Sequence, residues 1–222
     1  MATIEYELLR DFSELPKVRQ TCALKTNGIK ITNIPSLGLK ISKLLGDTSP
    51  GFKASKMDFA SNSSSNTITE VMKSLHGVSQ EVLKNLSHAL ELPWEKYLGE
   101  MHEFTAPSKD QLCIVKSGEV ISPEWSTLTL AVNTASPDSA LVIYGAALSV
   151  FSEGIIPTPS NLDISSSLAT NDSILGSGDW IIYYVCPNDD VFYTRAAGAL
   201  MSPLSCEEYE SRERVRDLTV AC

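Results

Sequence analysis

The chain has 222 residues, of which 18 are basic and 27 acidic, so its net charge is −9. This charge argues against a nucleic-acid-binding module, which needs basic side chains to neutralise phosphates. Hydrophobic residues make up 43% of the chain, which is enough for a folded core and excludes disorder along the whole length. No apolar run approaches the roughly 18 residues of a membrane span, and the N-terminus does not resemble a signal peptide.

These features predict a cytoplasmic protein, a monomer or homodimer, that binds neither nucleic acid nor a membrane. Five scattered cysteines without a C-x-x-C pair indicate reduced, mainly buried thiols rather than a disulfide framework.

The first half of the chain has the apolar periodicity of helices, interrupted by one β-rich run. Asn27-Gly28 is expected to end the first helix, and Gly77 could divide the longest one. Residues 46–66, rich in Ser and Asn, are predicted to form a loop, either a plain surface loop or a lid over a pocket. The predicted elements are a helix over Glu14–Leu24, a strand over Ile29–Ile34, a helix over Leu37–Leu45, a helix over Thr67–Leu90 and a short helical stretch over Trp94–Met101.

After residue 110 the sequence becomes rich in β-branched and aromatic residues, which is typical of strands. Strands are predicted over Leu112–Val115, Thr127–Val132, Ala140–Tyr144 and Trp180–Cys186, followed by a charged helix over Cys206–Leu218. The sequence therefore predicts a single α+β domain. Its parts are a mainly helical portion (1–110), a β portion (111–205) and a C-terminal helix or tail (206–222).

The residue types by themselves indicate no particular chemistry. The three histidines, His76, His88 and His102, do not have the spacing of a helical metal pair, and each is expected to be a core or surface residue. The sequence contains no G-x-S-x-G, no G-x-G-x-x-G and no G-x-x-x-x-G-K-[ST] motif. On the residues alone, the protein is an α+β domain with an unassigned pocket.

Four segments of the second half occur in the order typical of one enzyme family. Ser122-Pro-Glu-Trp-Ser-Thr-Leu-Thr-Leu130 is followed by Ala140-Leu-Val-Ile-Tyr-Gly-Ala-Ala-Leu148, by residues 151–161 and by Trp180–Asp190. Together they resemble the 2-oxoglutarate/Fe(II) dioxygenases of the isopenicillin-N-synthase-like family. The resemblance implies a shortened double-stranded β-helix, a jelly-roll or cupin-like barrel, with supporting N-terminal helices and a C-terminal helix.

The sequence differs from the family at the positions that bind iron and 2-oxoglutarate. The iron-binding His and Asp of the family correspond to Ser122 and Glu124, and the distal His and the following Arg to Ser160 and Asn161. The Arg and Ser that grip 2-oxoglutarate fall near Gly178 and on Trp180. Because a facial triad needs imidazoles, we expect no metal and no cofactor.

Two functions remain open after these losses. One is a metal-independent enzyme for a non-redox cyclisation, a Diels–Alder-like cycloaddition or an isomerisation of an apolar secondary metabolite. The other is a non-catalytic pseudoenzyme that binds a ligand or a partner protein. An alternative for the barrel mouth is that it has collapsed and that its residues only pack against one another. For the enzyme, the candidate catalytic residues are Ser122, Glu124, Ser160 and Asn161. The candidate pocket residues are Ser117, Trp125, Tyr144, Trp180 and Tyr183.

Overall fold

A computed structural model describes residues 1–24, 28–56, 66–92, 97–116, 126–152, 154–156, 178–193 and 204–205. The strands are β1 (Ala2–Glu5), β2 (Gly28–Thr32), β3 (Lys53–Ser55), β4 (Gln111–Val115), β5 (Leu128–Asn133), β6 (Ala140–Tyr144), β7 (Trp180–Val185), β8 (Phe192–Tyr193) and β9 (Leu204–Ser205). The helices are α1 (Tyr6–Arg10), α2 (Leu15–Ala23), α3 (Leu37–Asp47), α4 (Asn66–Ala89) and α5 (Ala146–Phe151).

Seven strands form one sheet in the order β1-β2-β6-β5-β7-β4-β3, and β8 pairs with β9 separately. All neighbours in the large sheet are antiparallel except β1 and β2, which are parallel. The sheet therefore combines strands from both halves of the chain. Strands β5, β6 and β7 are buried along their whole length, as expected for central strands covered on both faces.

The helices cover one face of this sheet. Helices α2 and α3 pack on α4, and α4 contacts β5 and β7. The apolar stripe predicted for the long helix is present: Val71, Leu75, Val82 and Leu86 are each fully buried. Gly77 does not divide this helix, which runs unbroken from Asn66 to Ala89. Most of the core lies between the sheet and α4.

The structure confirms most predicted elements and corrects several boundaries. The first helix ends at Ala23, before the predicted Gly28 stop, and Gly28 opens β2. The predicted loop 46–66 contains the short edge strand β3, which pairs with β4. Residues 98–101 form turns rather than a helix, and the predicted C-terminal helix lies outside the described residues.

Three of the cysteines lie in the described part of the chain. Cys22, Cys113 and Cys186 are buried and form no disulfide, as predicted for reduced thiols. Among the described helices, none has the length and apolar character needed to cross a bilayer.

Candidate functional site

The sheet has two faces with different environments. The helix face carries the even-numbered residues of β4 and the odd-numbered residues of β7, including Leu112, Ile114, Ile181 and Tyr183, packed into the main core. The opposite face, here called the second face, forms a separate apolar cluster. Its members are Cys113, Ala131, Leu141, Ile143, Trp180, Ile182 and Tyr184.

The strand alternation decides a question that the sequence left open, namely which predicted pocket residues share a face. Trp180 lies on the second face, whereas Tyr144 and Tyr183 lie on the helix face. Tyr144 is buried there, and its hydroxyl is 3.2 Å from Thr21 Oγ1. These two tyrosines are therefore core residues and do not line a pocket with Trp180. The other predicted site residues, Ser117, Ser122, Glu124, Trp125, Ser160 and Asn161, lie outside the described residues.

The second face is apolar at its centre and polar along one strand. Trp180 has Val115 and Asn133 as its cross-strand partners, and Ile182 has Cys113 and Ala131. On β5, the Thr129 hydroxyl lies 3.1 Å from Ser126 Oγ. Apolar and aromatic side chains with a few placed polar groups are typical of small-molecule sites.

Gly178 lies near the position where the resemblance places the Arg that grips 2-oxoglutarate. A Cβ atom at this position would lie 2.9 Å from Thr134 Oγ1 and 3.0 Å from Asn133 Oδ1. Asn133 Oδ1 is itself held by the Ala135 N–H at 2.8 Å. A side chain at 178 would therefore require both neighbours to move, so the position fits glycine and supplies no guanidinium.

All three histidines of the chain are described, and none of them belongs to the second-face cluster. His88 lies at the surface, with a ring nitrogen 3.1 Å from the Tyr97 hydroxyl and its ring edge-on to Phe12. His76 and His102 are buried on the helix side of the molecule. Within the described part of the chain, no group of three His, Cys, Asp or Glu residues is arranged to hold a metal ion.

His76 belongs to a buried network centred on Asp110, whose side chain is only 1% exposed. Asp110 accepts hydrogen bonds from the Tyr183 hydroxyl at 2.7 Å and from the Cys186 N–H at 2.8 Å. His76 Nδ1 lies 3.5 Å and Lys56 Nζ 3.7 Å from the same carboxylate. This network ties together β3, α4, β4 and β7.

His102 extends the network to β5. Its Nδ1 donates to the Leu98 carbonyl at 2.6 Å, because a carbonyl can only accept. In the neutral ring, Nε2 is then free to accept from the Thr127 hydroxyl, which lies 2.6 Å away. The His102 carbonyl accepts from His76 Nε2 at 2.7 Å and from the Gln80 amide.

The environment of this network shifts three ionisable groups. Burial lowers the pKa of His102 to about 4. Burial alone would raise the pKa of Asp110, but the hydrogen bond from His76, the Lys56 ammonium and the hydrogen bonds from Cys186 and Tyr183 together lower it. Burial and the neighbouring carboxylate raise the pKa of Tyr183 well above its usual value. The network is therefore built around an ionised Asp110 and a neutral His102.

We expect the protein to lose stability between pH 6.5 and pH 4. Because the folded-state pKa of His102 is lowered, the unfolded chain binds the extra proton more readily in this window, and stability rises with pH. The free energy of unfolding should fall by up to about 3 kcal/mol as the pH drops from 6.5 to 4. Urea unfolding at a series of pH values measures this slope, and His102→Gln should remove it. Asp110, whose pKa is lowered, contributes only at more acidic pH. A wild-type slope that matches His102→Gln would contradict the assignment.

Sequence reasoning did not find this network. Asp110 directly precedes β4, and its partners come from positions as distant as residues 56 and 186. The weak signal was a charged residue directly before an apolar strand. The sequence predicted that each histidine is a core or surface residue, and His76 and His102 are core residues.

Comparison of the sequence with family models and with curated proteins finds no match. Comparison of the structure with solved structures finds proteins of similar fold. A Caulobacter crescentus protein assigned to the 2OG-Fe(II) oxygenase family aligns with a TM-score of 0.65 at 8% identity, over 98% of this chain and 99% of that chain. A Shewanella oneidensis protein assigned as an oxygenase aligns with a TM-score of 0.61 at 13% identity, over 99% and 100%.

A dioxygenase for auxin oxidation from rice aligns with a TM-score of 0.58 at 12% identity, over 99% of this chain and 95% of that chain. At these identities the likeness shows the fold alone. The chain is thus a mixed α+β protein with a mostly antiparallel seven-stranded sheet, and it shares its fold with 2-oxoglutarate/Fe(II) oxygenases.

Proposed function

We propose that this chain uses a shortened double-stranded β-helix without iron or 2-oxoglutarate. It binds an apolar small molecule at the barrel mouth, beside the second face, and catalyses a non-redox step such as a cyclisation, cycloaddition or isomerisation. One observation carries the proposal: every histidine of the chain is placed away from the second face, and two of them are engaged in the buried network.

The donor set does not fit Fe(II). A 2-His-1-carboxylate triad needs two imidazoles on the barrel interior. The positions that the resemblance assigns to the ligands hold Ser122, Glu124 and Ser160, which offer one carboxylate and two weak neutral oxygens. Near the position that the resemblance assigns to the clamp Arg, the chain has Gly178, which offers no guanidinium.

A reaction without a redox centre matches the remaining side chains. Trp180, Ile182 and Tyr184 offer an apolar and aromatic wall, which suits an uncharged, hydrophobic substrate. Holding such a substrate in a reactive conformation accelerates ring closure without any cofactor. In this proposal Ser122, Ser160 or Asn161 polarises a substrate carbonyl by hydrogen bonding, and Glu124 acts as a general acid or base.

A specific observation favours a second candidate, the non-catalytic pseudoenzyme. The second-face side chains are already buried, with Trp180 7% exposed and Ile182 fully covered. A second face that is already covered in this way needs no substrate to bury it. Such a protein would act by binding a partner, for which its net charge of −9 favours a basic surface.

We expect purified protein expressed with iron present to contain no stoichiometric iron and to show no heat of binding with 2-oxoglutarate. Mass spectrometry of the metal content and calorimetric titration on the same sample test this. A matched gain-of-ligand variant, Ser122→His with Ser160→His, should acquire Co(II) binding visible by absorption if Glu124 completes the site.

Stoichiometric iron in the wild-type chain would overturn the proposal and make His76, His88 and His102 the ligands to test. If the iron result holds, a panel of apolar polyenes and enones separates the two candidates. EDTA-resistant turnover supports the enzyme, and absence of both turnover and binding supports the pseudoenzyme.

A further inference from the structure

Residues 97–107, here called the bridging segment, cross from α4 to β4 and are held largely by hydrogen bonds. The Leu98 N–H donates to Ser87 Oγ at 3.0 Å, and the Met101 carbonyl accepts from the Asn188 N–H at 2.9 Å. The Pro107 carbonyl accepts from the Asp189 N–H at 3.0 Å. Leu98 is its one fully buried large apolar side chain, while Met101 and Phe104 are partly buried.

His102 is the point at which this segment meets both α4 and β5. Its ring joins the Leu98 carbonyl to the Thr127 hydroxyl, and its backbone carbonyl receives His76 and Gln80 from α4. The His102 side chain is fully buried, and the Phe151 ring of α5 stands edge-on to it at 6.0 Å. Loss of these contacts would free the middle of the segment.

Protonation of His102 conflicts with this arrangement. A proton on Nε2 would meet the hydroxyl proton of Thr127, and the turned hydroxyl would have to find another acceptor. The new charge would also be buried without a direct counter-ion. The charged and titratable groups around it are His76 of α4, Asp110 before β4, Lys56 after β3 and Tyr183 of β7. Asp110 is the only carboxylic acid among these groups, and its carboxylate already contacts His76, Lys56 and Tyr183.

Exposure of the protonated His102 ring to water removes the cost of burying its charge. A local opening that exposes the ring requires less free energy than unfolding of the whole chain. Local openings of segments with few buried apolar contacts require less free energy than global unfolding. We infer that His102 is an acid-sensitive latch, which releases the bridging segment from α4 and β5 at mildly acid pH while the sheet stays folded. The release exposes the Asp110 network and the adjacent end of β7.

Cys186 reports on this opening. Its thiol is buried, and its N–H donates to Asp110 at the end of β7, next to the bridging segment. Cys22 lies in α2 and Cys113 in β4 on the second face, so both serve as internal references. The probe is 4,4′-dithiodipyridine, which labels thiols at acid pH, with the labelled sites assigned by peptide mass spectrometry. Rates are divided by those of the urea-unfolded chain at the same pH.

We expect labelling of Cys186 to outpace that of Cys22 and to rise about 20-fold between pH 7 and pH 5, as linkage to one buried histidine predicts. His102→Gln should abolish the rise, and His76→Gln should retain it. Equal rates for Cys186 and Cys22 at pH 5 would mean that opening is global and would overturn the inference. So would a rise that depends on His76 instead. If His102→Gln does not fold, the ratio of the Cys186 and Cys22 labelling rates in the wild-type chain still distinguishes local from global opening.

Discussion

Replacement of Asp110 by Ala should lower the free energy of unfolding at pH 7 by about 3–5 kcal/mol, the range expected when one partner of a buried charged network is removed. Asp110 receives four groups: the Tyr183 hydroxyl, the Cys186 N–H, His76 and the Lys56 ammonium. Without the carboxylate, the Tyr183 hydroxyl and the Cys186 N–H stay buried and lose their acceptor, and the Lys56 ammonium loses its counter-ion. Urea unfolding followed by circular dichroism measures the change.

Two control variants are compared with Asp110→Ala. Asp189→Ala removes an exposed carboxylate and should change stability by no more than about 0.5 kcal/mol. Asp110→Asn keeps the shape and removes the charge, so its cost should fall between the two. If Asp110→Ala proves as mild as Asp189→Ala, the network does not contribute to stability as the geometry implies. The slope of the urea curve should stay unchanged, since the native and unfolded states are otherwise the same.

The parts of the fold that sequence could predict are those with strong local signals. The β-branched and aromatic runs predicted β4, β5, β6 and β7 within one or two residues, and the apolar stripe predicted α4. The edge strand β3 and the terminal β1 were missed, because three or four residues carry too little periodicity. Both gain their strand conformation from a neighbour: β3 from β4 and β1 from β2.

The sequence could not assign side chains of β7 to a face. The run Trp180–Val185 is apolar or aromatic at every position and buried throughout, so it shows no alternation between core and solvent. Tyr183 and Tyr184 are chemically equivalent in the sequence, yet one donates to Asp110 and the other joins the second face. Only the pairing register with β4 and β5 separates them.

The scarcity of histidines, in contrast, is visible in the sequence itself. All three histidines precede residue 103, so none of them lies in the four strands predicted after residue 110. The structure adds where they go, and two of them stabilise the packing of α4 against the sheet. The fold shared with the oxygenases is thus held by polar contacts in which these histidines take part, away from the second face.

A single methyl group at position 145 should cost about 4 kcal/mol, the sum of overpacking and of two lost backbone hydrogen bonds. A Cβ on Gly145 would lie 2.1 Å from the Ser126 carbonyl oxygen, and backbone cannot rotate away as a side chain can. The Gly145 N–H donates to the Thr127 carbonyl, and the Ala147 N–H donates to Ser126. Gly145→Ala must therefore separate the β6–α5 junction from the start of β5.

Gly77→Ala is the matched control, because the same methyl group meets nothing within 4 Å there. Gly77 lies in the middle of α4, where Ala is favoured over Gly by about 1 kcal/mol, so this variant should be more stable than the wild type. Thermal and urea unfolding should show a loss of stability for Gly145→Ala and a gain for Gly77→Ala, both relative to the wild type. A Gly145→Ala protein as stable as the wild type would show that β5 and β6 do not approach this closely. The Thr127 hydroxyl is also the partner of His102 Nε2, so Gly145→Ala should make local opening of the bridging segment easier. Cys186 should then label faster at pH 7 in Gly145→Ala than in Gly77→Ala.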